Sequence, residues 1–536
     1  MSDTQESTYD EVSYGGNCFF YTHPDVLATV ATLFGMSPPP VERCRVLELG
    51  CADGSNLIPM AMGLPGARFV GIDLSPRQVE AGRTTVEALG LHNIVLEPLS
   101  LMEVGRDFGR FDYVICHGVY SWVPEAVQDR ILEICARNLT PDGVAYVSYN
   151  TYPGWHARGL ARDLMGFHVR RIAAAKARAT EARAILEDMV RVLPDPDSAY
   201  GRILSREAGA LRAASDSYVF HEHLEEENHP VYFHQFAERA TRKGLGYLGE
   251  ARSLGLFDGI SPEAKGAIEG WSADPLDREQ YLDFLCNRTF RRSLLCHADA
   301  ARTASPSAEP VRVMHISTLA RPVSEAPDVH STEEKEEFRA ADGIARLSTN
   351  HPMVKAALVV LFRVYPHALS FDALCDHVRS LLQEGPAPPP PDAGRDRDRD
   401  RLAALVLQFF GSNLVELHLH PPRIAAEPGD RPLASPLARL QAESDARITN
   451  LCLRHVELDD FDRLVLRLLD GHHDRRALVD ALLEAIANDT FTIQRGDEPV
   501  RDPGQVRAML GQGVESSLER MARLALLLCQ VEENAT

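Results

Sequence analysis

The sequence predicts an α/β fold in which a doubly wound domain is followed by a mainly helical region and winged-helix-like modules. Three observations predict this order. Short β-branched runs alternate with helical spacing between about residues 45 and 150, which is typical of a parallel sheet with crossover helices. A long Ala/Arg/Glu-rich stretch of helical spacing follows Trp155. Two later segments each pair a Leu/Val-rich helix with a turn and a second amphipathic helix.

The amino-terminal domain is predicted from five strands and three intervening helices. Each predicted helix carries apolar residues at helical spacing and stops at Gly or Pro. Because strands and helices alternate, we expect parallel strands whose carboxyl ends share one edge of the sheet. The strands are RVLELG, RFVGID, NIVLEP, FDYVICHG and GVAYVSYN, and the helices are SNLIPMAMGL, SPRQVEAGRTTVEALG and PEAVQDRILEICARNLT.

The carboxy-terminal half is predicted to hold two winged-helix-like modules. In the first, HPMVKAALVVLFRVYPHALSFDALCDHVRSLL pairs two helices, and LAALVLQFFGSNLVELHLHPPRI adds a helix and a strand-like tail. A proline run and the alternating charges of RDRDRDR cannot bury apolar surface, so residues 383–401 are predicted to be a disordered loop. The second module is centred on LDDFDRLVLRLLDGHHDRRALVDALLEAI.

Composition excludes several classes of protein. At 536 residues the chain is too long for one hydrophobic core. Its formal net charge of −21 repels phosphates and anionic membranes, so we expect no nucleic-acid partner and favour a protein partner. MSDTQESTYDEV is not a secretory signal, and no apolar run is long enough to span a bilayer. The ten cysteines form no CxxC pair, which indicates free thiols and a cytoplasmic protein.

The first strand leads into a glycine turn, ELGCADG, that suits close approach of a ligand. Gly50 and Gly54 let the backbone come near, and the helix that follows offers free N–H groups. A dinucleotide fingerprint would also need glycine where Ala52 and Ser55 stand, so NAD and FAD are disfavoured. An acidic residue two places before the first glycine and another just before the second favour a ligand with a cationic amino-acid end.

Residues after the second and third strands extend this candidate site. Asp73 ends the second strand beside the glycine turn, where a carboxylate can accept both hydroxyls of a ribose. Ser100 and Leu101 follow the third strand, close to where an adenine edge would lie. Asp73 could also cap the helix SPRQVEAG, and the two roles are compatible.

Several motifs together resemble one family. ELGCADG, GIDLS and FDYVICHGVYSWVP resemble class I S-adenosylmethionine-dependent methyltransferases, which have a Rossmann-like fold. THPDVLATVATLFGM, HGVYSWV and SYNTYPGWH resemble bacterial methyltransferases with an attached regulatory domain, a group that includes the rickettsial protein-lysine methyltransferases of outer-membrane protein B. HEHLEEENHPVYFHQFAERATRKGLGYLGEA and QYLDFLCNRTFRRSLLCH resemble the regulatory domain itself, and ITNLCLRHVELDDFDRLVLRLLDG resembles the carboxy-terminal module.

The resemblance implies a division into domains and a function. The expected activity is transfer of a methyl group from S-adenosylmethionine by in-line displacement, with the lysine side chains of a protein as the favoured acceptor. The predicted parts are an S-adenosylmethionine-binding methyltransferase domain (1–165), a helical connector (166–215), a methyltransferase regulatory domain (216–330), a winged-helix-like module (331–445) with the disordered loop 383–401, and a carboxy-terminal winged-helix-like module (446–536).

The resemblance also implies a set of cofactor-binding residues. The glycine turn would line the methionine end, residues after the second strand the ribose, and residues after the third strand the adenine. A histidine after the fourth strand would stand near the sulfonium, although a structural role suits a lone histidine equally well. A segment before the first strand would fold over the cofactor. In that order the residues are Glu48, Gly50, Cys51, Asp53 and Gly54, then Asp73 and Leu74, then Ser100 and Leu101, then His117, then Tyr14, Thr22 and His23.

Aromatic residues at the ends of the fourth and fifth strands are predicted to hold the acceptor. Methyl transfer from a sulfonium needs alignment and a dry pocket rather than an acid. A lysine must also react in its neutral form, which desolvation favours, and aromatic faces can hold its ammonium. Packing is the alternative role of the aromatic residues. The predicted catalytic residues are Tyr120, Trp122, Tyr149, Asn150 and Trp155, with the Asn150 carbonyl orienting a donor.

Two other functions stay open on the sequence alone. A small-molecule methyltransferase would turn over a metabolite with no protein present, and a non-catalytic scaffold would bind S-adenosylmethionine without turnover. No metal is expected, because the His-rich stretch at 221–234 lacks cysteine and tight paired spacing. The acceptor, the degree of methylation and the oligomeric state are left open, with a homodimer as one expected state.

Overall fold

A seven-stranded sheet organises the first of the two units into which the chain divides in the computed structural model. The structure describes residues 16–251, 260–340, 343, 345–385, 395–488, 491–492, 494–495, 498–500 and 502–529. The first unit comprises Met1–Asn17, Val30–Ala61 and Pro65–Pro306. The second comprises Cys18–Thr29, Met62–Leu64 and Ser307–Thr536.

The sheet of the first unit is mixed. Its strands are β1 (Arg45–Leu49), β2 (Arg68–Asp73), β3 (Ile94–Pro98), β4 (Phe111–Cys116), β5 (Leu139–Asn150), β6 (Leu245–Glu250) and β7 (Phe290–His297). They lie in the order β3-β2-β1-β4-β5-β7-β6. The first five are parallel, whereas β7 pairs antiparallel with both β5 and β6. The prediction of five parallel strands is confirmed, and β6 and β7 extend the sheet beyond it.

The two added strands come from the region predicted to be mainly helical. β7 begins Phe290-Arg291-Arg292, and these two arginines hide the apolar pattern of a buried strand. Arg291 is completely buried because the carboxylates of Glu250, Glu279 and Asp283 bind its guanidinium at 2.9, 3.1 and 2.8 Å. A strand stabilised by partners so distant in sequence is not visible in a local pattern.

Helices connect these strands and continue into the middle of the chain. The predicted helix after β2 begins as expected: Ser75 Oγ accepts from the Gln78 N–H at 3.3 Å, and Pro76 takes the first helical position. The helices are α1 (Pro24–Leu33), α2 (Leu57–Gly63), α3 (Pro76–Ala88), α4 (Glu125–Asn138), α5 (Gly154–Val169), α6 (Ala175–Val192), α7 (Ala199–Leu211), α8 (Asp216–Val219), α9 (Phe233–Arg242), α10 (Pro262–Trp271) and α11 (Pro275–Cys286).

One hydrophobic cluster joins the central strands to helices from early and middle parts of the chain. Leu47 of β1, Val114 of β4 and Ile131 of α4 belong to it, together with Phe236 of α9. Burial of each such side chain contributes about 1.5–3 kcal/mol. The strands that end at the candidate site are therefore held by a core that the middle region helps to build.

The middle helices form a cluster of their own. Met165 of α5, Leu186 of α6 and Leu204 of α7 are buried together with Phe220. Phe220 begins a single-turn π-helix, Phe220–Leu224, directly after α8. Such turns are rare and recur at functional sites, and this one leads into a segment that contacts the end of β5.

The second unit contains small antiparallel sheets and helices. Two three-stranded sheets have the orders β11-β10-β9 and β12-β8-β13, and β14 pairs with β15 and β16 with β17. The strands are β8 (His315–Thr318), β9 (Arg321–Pro322), β10 (Glu336–Arg339), β11 (Arg346–Thr349), β12 (Leu369–Ser370), β13 (Val415–His418), β14 (Arg447–Thr449), β15 (His455–Glu457), β16 (Gln494–Arg495) and β17 (Glu498–Pro499). The helices are α12 (Pro352–Val364), α13 (Phe371–Gln383), α14 (Arg395–Gly411), α15 (Pro436–Gln441), α16 (Asp460–Leu468), α17 (Arg475–Ala487) and α18 (Pro503–Arg523).

The predicted disordered loop 383–401 is wrong at its carboxy-terminal end. Residues 395–401 form the first turns of α14, while residues 386–394 lie outside the described part of the chain. Two of the alternating charges have partners in other parts of the chain: Arg399 pairs with Asp372 of α13, and Asp400 pairs with Arg312. Acidic residues in the first turn also complement the helix dipole.

The carboxy-terminal module has its own core. Ala438 of α15, Val465 of α16, Leu478 of α17 and Leu518 of α18 are buried in one cluster. Helices and a short hairpin share this core, as the winged-helix prediction requires. Among the described residues, no helix is long and apolar enough to cross a membrane.

Candidate functional site

The glycine turn after β1 has a left-handed backbone at three positions. Gly50, Ala52 and Gly54 have φ values of +75°, +49° and +73°. The Gly50 N–H donates to the Ile72 carbonyl at 2.8 Å, which ties the turn to the end of β2. A Cβ on Gly50 would come within 2.4 Å of Val119 Cγ2. Glycine is therefore required at position 50 by both conformation and space.

Glu48 is a buried carboxyl group with one oxygen paired and the other unpaired. Its side chain is 3% exposed, and Oε1 accepts from Asn56 Nδ2 at 2.7 Å. Oε2 is buried and has no hydrogen-bond partner. Burial raises the pKa of Glu48 to about 8, against the opposing effect of the Asn56 hydrogen bond. An orphaned buried oxygen of this kind is suited to a cationic ligand group.

Cys51 and Asp53 complete the turn. Burial, reinforced by the carboxylates of Glu48 and Asp73, raises the pKa of the Cys51 thiol far above its usual value. Cys51 is therefore a neutral packing residue of the turn and no nucleophile. Asp53 Oδ1 accepts from the Ser55 N–H at 3.0 Å and shapes the entry into α2.

Asp73 lies at the end of β2 with both oxygens oriented by the backbone. Oδ2 accepts from the Ala52 N–H at 2.8 Å, and Oδ1 accepts from the Ser75 N–H at 2.9 Å. These two bonds fix the plane of the carboxylate beside the glycine turn. Ser75, not Asp73, supplies the oxygen that caps α3. The side chain of Leu74 is 72% exposed beside them.

Ser100 and Leu101 lie next to Asp73. The Leu99 N–H donates to the Asp73 carbonyl at 2.9 Å, which fixes the loop after β3. Ser100 caps a 3₁₀ turn by accepting from the Met102 N–H at 3.3 Å. Leu101 is half-buried against the core of the sheet. The structure thus brings together the residues predicted for the methionine end, the ribose and the adenine.

His117 follows β4 and is held by β5. Its Nδ1 lies 3.0 Å from Tyr146 Oη and 3.0 Å from Ser148 Oγ. Burial, and secondarily the Arg292 guanidinium, lowers the pKa of His117 to about 3. The imidazole is therefore neutral at physiological pH, and its contact with a cofactor stays a prediction.

The segment after β4 connects the glycine turn to the end of β5. Val119 Cγ2 occupies the space beside Gly50, and Ser121 Oγ accepts from the Asn150 N–H at 2.8 Å. Since the two contacting residues are only two positions apart, the ends of β1, β4 and β5 form one continuous edge. This is the edge at which doubly wound folds bind ligands.

Tyr120 and Tyr149 lie inside the hydrophobic core. The Tyr149 ring stacks on Phe236 with a centroid distance of 4.1 Å, and the Tyr120 ring meets Phe236 edge-on at 5.3 Å. Tyr149 Oη also bonds to Ser293 Oγ at 3.0 Å. These contacts give both tyrosines a packing role, and contact with an acceptor stays a prediction for them.

Trp122 and Trp155 form an aromatic corner at the same edge. Their rings meet edge to face with centroids 6.3 Å apart. Trp122 is half-buried, whereas Trp155 is buried and its Nε1 has no hydrogen-bond partner. The Arg158 guanidinium lies 4.9 Å from the Trp155 ring. The predicted aromatic wall is therefore built mainly from these two residues.

Asn150 ends β5 and has a partner that sequence reasoning missed. Its Nδ2 donates to Asn228 Oδ1 at 3.0 Å. Asn228 belongs to the stretch HLEEENHPV, within the His-rich part of the chain for which no metal was expected. Nothing local distinguishes Asn228 from other polar residues of a loop, so its position beside Asn150 depends on tertiary structure.

Tyr14, Thr22 and His23 were predicted to fold over the cofactor. Thr22 and His23 belong to the second unit, and their role above the cofactor stays a prediction. Tyr14 lies outside the described residues. Burial lowers the pKa of His23 to about 4, and its Nδ1 accepts from the Asp25 N–H at 3.1 Å. Within the described ranges, no group of three or more His, Cys, Asp or Glu residues is arranged to hold a metal ion.

Three protein families match separate parts of the chain. They are described as a methyltransferase domain (residues 47–145), a predicted methyltransferase regulatory domain (residues 215–297) and the PKMT C-terminal winged helix domain (residues 430–526).

One relative and two solved structures match almost the whole chain, and a second relative matches a shorter part of it. An uncharacterized protein of Rickettsia prowazekii (strain Madrid E) is 33% identical over 527 residues, which is 97% of this chain and 93% of that protein. A second uncharacterized protein of the same organism is 39% identical over 243 residues, 45% of this chain and 97% of its own length. The structures of PKMT2 from Rickettsia typhi, with and without AdoHcy, are 29% identical, cover 96% of this chain and 100% of theirs, and have TM-scores of 0.84 and 0.83.

Proposed function

The chain belongs to the family of S-adenosylmethionine-dependent methyltransferases that carry a regulatory domain and a PKMT-type winged-helix domain, and from this premise we propose that it methylates lysine side chains of a protein. The similarity to PKMT2 along nearly the whole chain carries this proposal. An acceptor side built from two tryptophans and a buried asparagine supports it, because such groups suit an amine.

S-adenosylmethionine is the cofactor of this family, and the candidate site fits it. The orphaned Oε2 of Glu48 suits the amino group of the methionine end, and the fixed carboxylate of Asp73 suits the ribose hydroxyls. Gly50 and Gly54 keep the turn in its left-handed shape, with Val119 and Leu96 packed where side chains at these positions would lie. Ser100 and Leu101 would contact the adenine, and Leu74 would flank the ribose.

The chain's own residues align the reactants and exclude water. When bound, S-adenosylmethionine supplies an electrophilic methyl group on a sulfonium. Trp122 and Trp155 form an aromatic corner that would shield the acceptor amine from bulk water, which favours its neutral form. The side-chain carbonyl of Asn150 accepts a hydrogen bond from that amine. This contact would turn the lone pair of the amine nitrogen towards the methyl group. The neutral imidazole of His117 adds no positive charge near the sulfonium.

The protein partner and compartment follow from composition. The net charge of −21 attracts a lysine-rich acceptor protein rather than a nucleic acid. All ten cysteines are free, which suits a reducing compartment, and we place the reaction in the cytoplasm. For the methyltransferase domain, the connector, the regulatory domain and the two carboxy-terminal modules, we propose the limits predicted from the sequence.

The test uses methyl-labelled S-adenosylmethionine with the purified full chain. Three mixtures are compared: a host-protein extract, the small-molecule fraction of the same extract, and buffer. Label on lysines of extract proteins, located by peptide mass spectrometry, is the expected result. Label on a metabolite alone would support the small-molecule alternative, and binding without any transfer would support a scaffold.

A variant control shows that label comes from this site. Asp73→Ala should weaken cofactor affinity about 10- to 100-fold, as expected for the loss of one or two charge-assisted hydrogen bonds. Titration calorimetry with S-adenosylmethionine, and with NAD as a negative control, measures this directly. Unchanged affinity in Asp73→Ala would contradict the ribose assignment.

A further inference from the structure

We propose that Asn228, which follows the π-helix, is a positioning residue that fixes the Asn150 amide with its carbonyl towards the acceptor amine. This inference rests on the proposed transfer to an amine and deepens it. It assigns part of the active site to the region matched as the regulatory domain.

The segment that carries Asn228 is bound to the active-site edge by its backbone. The His229 N–H donates to the backbone carbonyl of Ser121 at 2.7 Å, and the Val231 N–H donates to the backbone carbonyl of Asn150 at 3.1 Å. The Tyr152 N–H returns a bond to the Val231 carbonyl at 3.2 Å. Because these are backbone contacts, the segment should keep its position when a single side chain in it is changed.

The side-chain amides of Asn150 and Asn228 then form one directed pair. Asn150 Nδ2 donates to Asn228 Oδ1 at 3.0 Å. Asn150 is only 2% exposed, so water cannot freely compete for its amide. The oxygen and nitrogen of a primary amide point in different directions from one carbon, so fixing the nitrogen fixes the oxygen. Without Asn228, both orientations of the Asn150 amide become accessible.

The orientation matters because the carbonyl of an amide accepts a hydrogen bond from an amine, whereas the NH₂ of an amide donates one to it. A carbonyl accepts an N–H of the amine and leaves its lone pair free to attack. An amide NH₂ would instead donate to that lone pair and block it. Since Asn228 presents an acceptor to the Nδ2 of Asn150, it selects the productive orientation.

Asn150 also lies on the correct edge. The Ser121 hydroxyl oxygen accepts from the Asn150 N–H, and Val119, two positions earlier, lies beside Gly50 of the glycine turn. The pair therefore stands on the acceptor side of the same edge that holds the cofactor residues.

The first measurement is a ligand comparison that needs no acceptor protein. Sinefungin resembles S-adenosylhomocysteine but carries an amine-bearing carbon in place of the sulfur, close to where the acceptor amine would react. Calorimetry on the full chain should give about tenfold tighter binding for sinefungin than for S-adenosylhomocysteine, equivalent to one net hydrogen bond. In Asn228→Leu this ratio should fall to about one while S-adenosylhomocysteine affinity is unchanged.

Asn228→Asp is the informative partner variant. A carboxylate can only accept, so it still pairs with Asn150 Nδ2 and should keep the sinefungin preference. If the Asn150 amide had the opposite orientation, the unsubstituted chain would show no preference, and Asn228→Asp would create one by attracting the Asn150 NH₂. A preference kept in Asn228→Leu, or absent from the unsubstituted chain, would overturn the inference.

A double-variant cycle separates positioning from structural support. If Asn228 acts through Asn150, Asn228→Leu should change the ligand ratio in the unsubstituted chain and have no further effect in an Asn150→Ala background. Additive effects of the two changes would overturn the inference. Thermal melting of each variant confirms that the comparison is made between folded proteins.

The test of Asn228 and the test of lysine methylation can succeed or fail independently. If the ligand ratio behaves as expected but no protein lysine is labelled, the amine-positioning pair stands and the lysine proposal fails. If lysines are labelled but the ratio is indifferent to Asn228, the lysine proposal stands and the positioning role fails. If the ligand ratio behaves as expected and lysines are labelled, Asn228→Leu should lower kcat about tenfold or more with little change in the KM for S-adenosylmethionine.

Discussion

Glu48 shows how a single buried residue can report cofactor binding. Burial raises its pKa to about 8, so the carboxyl of the free protein is mostly protonated at pH 7. Because the folded-state pKa lies above the unfolded value, the contribution of Glu48 to stability is complete at acid pH and is lost as pH rises through about 8. An ammonium group of the cofactor beside Oε2 would favour the ionised form.

We therefore predict that cofactor binding releases a proton from Glu48. Calorimetry at pH 7 in buffers of different ionisation enthalpy should show release of about one proton per cofactor bound. Glu48→Gln should abolish this release and weaken binding. A binding enthalpy that does not depend on the buffer would place the amino group of the cofactor elsewhere.

Gly50 offers a second prediction with a matched control. An alanine at position 50 would have an unfavourable φ of +75° and would strike Val119. Gly90 also has positive φ, at +63°, but a Cβ there meets nothing within 4 Å. We expect Gly90→Ala to lower stability by about 1 kcal/mol without affecting the site. Gly50→Ala should also reduce S-adenosylmethionine affinity at least tenfold, and equal affinities in the two variants would contradict the assigned role of the turn.

Trp155 tests the acceptor wall. Trp155→Phe keeps an apolar ring in the corner with Trp122, whereas Trp155→Ala removes it. Transfer to the acceptor should fall about 100-fold in Trp155→Ala and less in Trp155→Phe, while calorimetry shows cofactor affinity within a factor of two. Trp271, which is 60% exposed on α10, supplies the control Trp271→Ala. A collapse of cofactor affinity in Trp155→Ala would place Trp155 in the cofactor pocket or the core.

At the scale of elements, the sequence predicted those strands, turns and helices that depend on interactions between residues close together in the chain. The strands of the parallel part, the glycine turn and the Ser75-capped helix follow from alternation, glycine placement and capping residues that act within a few positions. β7 was not predictable, because the buried Arg291 near its start is tolerated only through carboxylates from β6 and α11. The first turns of α14 were missed because their charges pair with residues of other elements.

In the candidate site too, contacts set by local sequence were predictable and contacts set by tertiary structure were not. Asp73 and Gly50 sit where strand ends and turns place them, so the sequence was sufficient to bring them together. Asn228 reaches Asn150 across 78 positions through a segment with no regular structure. A single sequence holds no local signal for such a contact.

The pairing of β5 with β7 gives a prediction about where the first unit ends. A chain that stops at residue 165, the limit predicted for the methyltransferase domain, would leave β5 without its antiparallel partner. An unpaired apolar edge favours aggregation. We expect a chain ending at residue 306 to be more soluble and to melt cooperatively by circular dichroism, and the chain ending at 165 to precipitate. Equal behaviour of the two would show that β6 and β7 are dispensable for the sheet.

At the scale of the whole molecule, net charge should govern encounter with the acceptor protein. The chain carries a formal charge of −21, and Glu226 and Glu227 are exposed just before Asn228. Attraction of a lysine-rich protein is screened by salt, with a Debye length of about 10 Å at 0.1 M. The KM for a protein acceptor should rise several-fold between 50 and 300 mM salt, with little change in the affinity for S-adenosylhomocysteine. A KM that is independent of salt would indicate that docking depends on apolar contact.

The register of β5 against β7 also has a consequence for synthesis. It joins Asn150 to Phe290, 140 positions later in the chain. On the ribosome, the parallel half of the sheet is complete long before its edge partner emerges, and contacts so remote in sequence form slowly. The nascent chain therefore acquires its parallel strands before Asn228 and β7 emerge, so we expect a product that stops early to lack both the partner of Asn150 and the edge partner of β5.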